Sequence, residues 1–295
     1  MYPVPGPMGA LVKFAYNGMG VFVATCRGNG DYKEDNIFMS RSTDVGRTWS
    51  SCKRPIASSS QPWDALSGDE YGTFVAITSS PTYDPTSMTW TNIPGELRSM
   101  RSTDAGITWK KYATCNDNHG WFVITNGGGV YVALAGPNGN PAYNTMRSTD
   151  RGQTWTCHSP PNGVQFSYST SITYGNGIFV ATTSDGAMHS TDGGVSWTAY
   201  KSNDGKVWGS ITYGNGVFVA LTNADGSVNR TMSSTDGITW TGLPGAPYDA
   251  RWDSVAYGGG KFLALGRSKD DFDDGSTSGY RRADIKMMTH PGDTF

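Results

Sequence analysis

Six stretches of the chain repeat one pattern: an apolar segment, a Gly-rich turn and a strongly β-forming triplet. The copies run from Phe14-Ala15-Tyr16-Asn17-Gly18 to Phe22-Val23-Ala24, from Leu66 to Phe74-Val75-Ala76 and from Val123 to Tyr131-Val132-Ala133. They continue from Ile172-Thr173-Tyr174-Gly175-Asn176-Gly177 to Phe179-Val180-Ala181, from Ile211 to Phe218-Val219-Ala220 and from Val255 to Phe262-Leu263-Ala264. Turns of the Gly-Asn-Gly type supply the positive φ angles of a tight hairpin, so each copy predicts two antiparallel strands, A and B.

A polar pattern follows five of these hairpins. It reads RSTDVGRTW from Arg41, RSTDAGITW from Arg101, RSTDRGQTW from Arg147, HSTDGGVSW from His189 and, one residue shorter, SSTDGITW from Ser233. Each copy predicts a strand C, a turn and a strand D that begins at the Thr/Ser-Trp pair. Four strands per unit, six units and about 40 to 60 residues per unit match a radial propeller better than a solenoid. The expected fold is therefore all-β: a six-bladed β-propeller of four-stranded antiparallel blades forming one domain over 1–295. The blades fall near 8–55, 60–112, 118–158, 166–200, 206–243 and 250–295. In the sixth unit Met287 to Phe295 aligns with Met232 to Trp240, Pro291 replaces the Asp and strand D is missing. Residues Tyr2 to Pro5 are expected to close the ring as the outer strand of that last blade, an edge position where proline is tolerated.

Composition narrows the reading. Glycine is abundant at 39 residues, charged residues make up 16%, and Trp and Tyr number 10 and 15, as suits many short strands and tight turns. Net charge is −2 with no Lys/Arg run, which argues against nucleic acid as a partner. The N-terminal Met1 to Pro7 lacks the basic and apolar regions of a signal peptide, and no apolar run reaches membrane-span length, so synthesis in a cytoplasm without membrane insertion is expected. Cys26, Cys52, Cys115 and Cys157 occupy non-equivalent places without metal-ligand spacing, and are read as free thiols, with a disulfide between blade strands as the alternative. No cofactor or metal is expected. The run Asp270-Asp271-Phe272-Asp273-Asp274-Gly275 places Phe where a calcium loop needs an oxygen ligand. His119, His158, His189 and His290 share no metal spacing.

The Ser-x-Asp-x-Gly-x-Thr-Trp pattern resembles the Asp-box of sialidase-like β-propellers. The resemblance covers the chain and implies structural, peripheral roles for Asp44, Asp104, Asp150, Asp192 and Asp236 and for Trp49, Trp109, Trp155, Trp197 and Trp240. Catalytic sialidases add an Arg-Ile-Pro motif, an arginine triad and a Tyr-Glu pair. Here Arg54-Pro55-Ile56 is out of order, only Glu34, Glu70 and Glu96 are present, and Arg41, Arg101 and Arg147 sit beside their Asp-boxes. No catalytic residue is assigned on that pattern. The closely similar units and their N-G turns resemble the short Asp-box propellers of tailed-phage virion proteins. That implies a tail, fibre or surface-decoration protein with host polysaccharide or other virion proteins as partners, homo-oligomeric assembly being left open.

Insertions fall in the B–C loops and D–A connectors, the variable end of such a scaffold. Counting back from the strand B aromatic puts Trp63, Trp121, Trp208 and Trp252 at the start of strand A, with Val12 and Ser169 as exceptions. These rings read either as packing between blades or as platforms on which sugars stack, with Arg251 and Asp253 as polar partners and Tyr83, Trp90, Tyr143, Tyr168, Tyr248 and Tyr280 in nearby loops. A hydrolase or lyase would instead use loop carboxylates such as Asp64, Asp253 and Glu34. An architectural assembly module is the third reading.

Overall fold

The structure, a computed structural model, describes residues 11–27, 37–50, 63–79, 82–84, 89–91, 97–117, 119–136, 144–161, 164, 166–167, 170–184, 186–201, 206–222, 231–243, 250–268 and 284–288. All regular elements among them are strands. The chain divides into two compact units, residues 1–159 and 160–295.

In the first unit β1 (Leu11–Tyr16), β2 (Phe22–Arg27) and β3 (Ile37–Ser42) form one sheet. A second sheet joins β4 (Ala65–Gly68) and β5 (Phe74–Ile77) to β8 (Ser99–Ser102) and β9 (Lys110–Tyr112). Between β5 and β8 the chain makes a separate hairpin of β6 (Thr82–Asp84) and β7 (Thr89–Thr91), in which Tyr83 stands opposite Trp90. The third sheet is β10 (Trp121–Gly127), β11 (Val130–Ala135), β12 (Thr145–Ser148) and β13 (Thr156–His158).

The second unit repeats the plan. Its sheets are β14 (Ile172–Gly175), β15 (Ile178–Thr183), β16 (Gly186–Ser190) and β17 (Thr198–Lys201), then β18 (Trp208–Gly214), β19 (Val217–Thr222), β20 (Thr231–Ser234) and β21 (Thr241–Leu243). β22 (Ala250–Gly258), β23 (Lys261–Ser268) and β24 (Asp284–Met288) complete it. Four of the six sheets thus have the expected four antiparallel strands, and the first and last have three among the described residues. The strand expected at Tyr2 to Pro5 lies outside the described residues.

Hydrophobic cores lie between neighbouring sheets, and this explains why the second strand of each sheet is apolar without alternation. Phe218 and Ala220 of β19 pack with Val180 and Trp240, whereas Val219 and Leu221 pack with Trp252 and Phe262. In the first unit Phe74 and Ala76 join Val23 and Trp63, while Val75 and Ile77 join Trp121 and Tyr131. Successive side chains point to opposite faces and each face has its own core.

The predicted tight turns form. Asn176-Gly177 and Asn215-Gly216 each take two successive positive φ angles, 49° and 82° and then 47° and 80°, the two-residue hairpin geometry that Asn-Gly favours. The hairpins also carry a cross-strand aromatic pair, Tyr174 opposite Phe179, Tyr213 opposite Phe218 and Tyr257 opposite Phe262.

Glycine just before these turns has a packing role. A Cβ on Gly175 would lie 2.1 Å from Cγ of Tyr213, and one on Gly214 would lie 2.0 Å from Cγ of Tyr257. Each tyrosine ring therefore lies flat on the glycine of the preceding sheet.

Two alignments are corrected. Leu11, not Val12, takes the pairing place of Trp121: Leu11 stands opposite Cys26, four residues past Phe22, as Trp121 stands opposite Ala135, four residues past Tyr131. The longer turn between Tyr16 and Phe22 shifts the count. In the last sheet Met288, not Thr289, stands opposite the strand B aromatic Phe262, so Lys286, not Met287, falls in the place that Met232 occupies opposite Ala220.

Candidate functional site

Of the two readings of the tryptophans at the strand A entrance, packing between blades and platforms for sugars, their burial supports the first. Trp63, Trp121, Trp208 and Trp252 are 2%, 0%, 2% and 2% exposed. Each belongs to a core between sheets, so these rings are packing groups and present no face to a sugar. After Trp121, Trp208 and Trp252 the strand register shifts, leaving Phe122, Gly209 and Asp253 as bulge residues. The bulge turns Asp253 outward to solvent, while Arg251 stands opposite Arg267 in the β22–β23 ladder. Tyr143, Tyr168, Tyr248, Tyr280, Ser169 and Glu34 lie outside the described residues.

The polar groups at the entrance hold the chain together. Asp64 accepts the amide and hydroxyl of Ser79 at 2.7 and 2.6 Å, tying the start of strand A to the end of strand B. Between β9 and β10 the connector folds on Asp117, whose carboxylate accepts the amide and hydroxyl of Thr114 at 2.9 and 2.7 Å. The fully buried Arg98 donates through Nε to the Asp117 carbonyl. The Trp121 indole donates to the Asn116 carbonyl at 3.3 Å, and the buried His119 ring stacks on Trp121 at 5.8 Å. Burial holds the His119 pKa below the ordinary imidazole value.

Cys115 in that connector and Cys157 on β13 form a disulfide, which corrects the reading of these two as free thiols. The reason is tertiary: the connector leaving the second sheet lies beside the outer strand of the third, bringing the two Cα atoms to 5.4 Å although 42 residues separate them. Cys52 and the side chain of Cys26 lie outside the described residues.

At the other end of the sheets the polar turns at Asp44, Asp104, Asp150 and Asp192 share one geometry, and the Asp236 turn, one residue shorter, makes the same kinds of bond one position earlier. In the turn after β16, Asp192 accepts the Ser190 hydroxyl at 2.8 Å, the Val195 amide at 3.1 Å and the Ser196 hydroxyl at 2.5 Å. The Gly194 amide donates to Ser190 Oγ at 2.8 Å. Burial acts to raise the Asp192 pKa, but the Ser196 hydroxyl and amide outweigh it and bring the value to about 2. Asp44 falls to about 2 chiefly through the Thr48 hydroxyl, and Asp236 to about 2 through the amides of Thr239 and Ile238. Asp104 and Asp150 are lowered by Thr108 and Thr154 against an opposing burial effect. A carboxylate held this way is a turn staple and a poor proton donor near neutral pH.

The turns also join neighbouring sheets. A Cβ on Gly106 would lie 2.6 Å from Val23, and one on Gly152 would lie 2.7 Å from Val75, so glycine lets each turn approach the preceding sheet. Arg41 donates through Nε to the Ala105 carbonyl of the next turn at 2.6 Å. Trp155, Trp197 and Trp240 are buried, whereas Trp49 and Trp109 are half-buried and donate to the carbonyls of Gly46 and Gly106. Sequence reasoning missed that the residue before each of these glycines also has positive φ: Val45, Ala105 and Arg151 at 61°, 57° and 58°. It also missed Arg98 and Asp117. A recurring Tyr-Gly pair before the hairpin turns was the legible signal for the sheet-to-sheet contacts.

No family model and no curated protein matches the chain. Solved structures do. YCF48 bound to D1 peptide matches 99% of this chain over 81% of its own, at 12% identity and a TM-score of 0.62. The GH74 xyloglucanase from Xanthomonas campestris matches 98% at 14% identity and a TM-score of 0.64. The fold is a β-propeller. The Hadza microbial sialidase Hz136 matches 89% of the chain at 17% identity and a TM-score of 0.51. This propeller chain spans 45% of the xyloglucanase and 63% of the sialidase. Such a spread of names at low identity establishes the scaffold and leaves function to the site.

Proposed function

We propose that the protein is a non-enzymatic binding propeller, a tailed-phage virion component of tail, fibre or surface-decoration type that contacts host-surface glycan or another protein. In this reading residues 1–295 form one six-bladed domain, with Tyr2 to Pro5 as the outer strand of the last blade. The observation that carries the non-enzymatic reading is the use of the carboxylates. Asp44, Asp64, Asp104, Asp117, Asp150 and Asp192 each accept hydrogen bonds that hold their own turn or strand end. Asp69 and Asp236 do the same. A glycosidase needs two carboxyl groups flanking a bond, free to trade protons. Glu70 and Asp253 are exposed carboxylates, and Asp253 has an interaction partner as well.

Contact is assigned to loop-side residues in each unit taken by itself: the β6–β7 hairpin in the first, and Arg251 and Asp253 in the second. That hairpin is an addition to the repeated sheet and sets Tyr83 and Trp90 at opposed register positions. A disulfide suits a particle exposed outside a reducing cytoplasm. The likeness to YCF48 with its bound peptide supports a protein partner, and the likeness to GH74 and sialidase scaffolds supports a glycan. The latter also favours the second reading, a hydrolase acting through residues outside the described set.

The test is binding of the purified protein to a panel of bacterial surface polysaccharides, each sample then analysed by mass spectrometry for released oligosaccharide. Saturable binding that the Tyr83→Ala/Trp90→Ala double variant abolishes, without product, supports glycan recognition. Released product overturns the non-enzymatic reading. Absence of binding moves the assignment to a protein partner, to be sought by reconstitution with other particle proteins.

A further inference from the structure

His119 is an ionisable ring set where a positive charge is costly. It is 3% exposed, stacks on Trp121 with ring centroids 5.8 Å apart, and has a buried Nδ1 without a hydrogen-bond partner. The carbonyls beside it are in use. That of Asn116 accepts the His119 amide at 3.2 Å and the Trp121 indole at 3.3 Å, and that of Asp117 accepts Nε of the fully buried Arg98. The start of β10 is fixed on its other side, where the Trp121 amide donates to the Thr78 carbonyl at 3.2 Å. The carboxylates of the surrounding segments are engaged as well: Asp117 with the amide and hydroxyl of Thr114, and Asp64 with those of Ser79. On the adjoining strands Lys110 lies over the Tyr112 ring and the His158 ring meets the Thr156 hydroxyl. Burial is what holds the His119 pKa below 6.5, and no carboxylate opposes it.

We propose that His119 is an acid-released cover for Trp121: the neutral ring closes over the indole, and the protonated ring turns out to water and opens that indole face while the sheets stay folded. Protonation makes donors of both ring nitrogens, and the buried Nδ1 has no acceptor to meet. An imidazolium left so costs far more to bury than the neutral ring, so the proton favours the open position. The sign follows from the lowered pKa. The closed seat contributes fully above pH 6.5 and weakens as pH falls toward the folded-state value, by up to about tenfold in the closed-to-open ratio per pH unit. The Cys115–Cys157 bond does not titrate and keeps its end of the connector attached, which confines the change to His119 and its neighbours. This inference stands apart from the ligand assigned above.

NMR of the full chain, with labelled histidine and tryptophan and titrated from about pH 7.5 to 4.5, tests it. The His119 ring should titrate with a midpoint below 6.5. Over the same interval the Trp121 indole N–H should exchange with water at least about tenfold faster, once the intrinsic effect of pH is divided out, with the Trp208 indole unchanged. His119→Phe keeps a ring on Trp121 and removes the proton site, so its Trp121 signal should not respond to acid. A response that persists in His119→Phe would place the trigger elsewhere and overturn the proposal. So would a protonated His119 with Trp121 exchange unchanged, or no titration of His119 before the sheets unfold. Acceleration at every tryptophan together would mean general acid unfolding and overturn it too. Should His119→Phe fail to fold, the unaltered chain decides: coincident midpoints for the His119 ring and Trp121 exchange support the cover, and separate midpoints overturn it.

Discussion

Asp192 and Asp64 both hold chain with their carboxylates, yet they do so over different ranges. Asp192 binds residues two to four places away inside one turn. Asp64 binds Ser79, fifteen places away, across two strands. The same contrast runs through the molecule. At the turn end the contacts recur from sheet to sheet because a short motif makes them. At the entrance end Asp64–Ser79, Arg98–Asp117 and Cys115–Cys157 each need two distant segments to meet. A repeated end suits a scaffold, and a varied end suits recognition.

The largest effect that tests this division comes from the entrance tryptophans. Trp208→Ala should cost about 3–5 kcal/mol in urea unfolding, since it empties a core. A stable Trp208→Ala variant that loses only glycan binding would return the ring to the binding surface and break the comparison. Next is the sheet-to-sheet contact: Gly214→Ala should cost about 1–3 kcal/mol by driving a methyl into Tyr257. Gly258→Ala, with no atom within 4 Å of the added carbon, should be nearly neutral, and equal losses at the two sites would dissolve the distinction.

Smaller effects probe the turns. Asp192→Ala should cost about 1 kcal/mol, the net worth of an exposed set of charge-assisted hydrogen bonds. Because folding lowers the Asp192 pKa from 3.8 to about 2, its contribution is present above pH 3.8 and lost as pH falls through that interval, which Asp192→Ala should flatten in an acid titration. Val45→Gly should stabilise by about 1 kcal/mol, because a β-branched residue sits at φ 61° and is 69% exposed, with little packing to lose.

The smallest effect is at His189, which stands where Arg41 stands in its own motif. Burial depresses its pKa against the opposing charge of Asp236, so its contribution is present above pH 6.5 and declines as pH falls below it. His189→Arg should gain about 0.5 kcal/mol by restoring a donor to the next turn, and should lose less stability than the unaltered chain between pH 7.5 and 5.5.

Much of the scaffold was legible. The Phe-Val-Ala triplets, with Tyr131-Val132-Ala133 and Phe262-Leu263-Ala264, gave the second strand of each repeated sheet, Asn176-Gly177 and Asn215-Gly216 gave the hairpin type, and Asp44, Asp104, Asp150, Asp192 and Asp236 gave the turn staples, all from interactions within a few residues. The entrance was less legible, in proportion to the range of its contacts. Trp208 in a sequence is equally a platform or a core ring, because exposure depends on which sheet lies against it. Arg98 carries no local sign that its partner is nineteen residues ahead.

What the sequence by itself determined is the strands of the repeated sheets, the turns that join them and the repeat that makes the sheets alike, since backbone conformation and short-range hydrogen bonding are local properties. Tertiary structure alone decided that the entrance tryptophans are buried, that Cys115 and Cys157 meet, that β24 pairs one residue out of the expected phase and that the motif glycines are close-approach points as well as turn residues. Those outcomes depend on which surfaces are brought together when the sheets pack, and steric fit between segments far apart in the chain is not written in either segment alone.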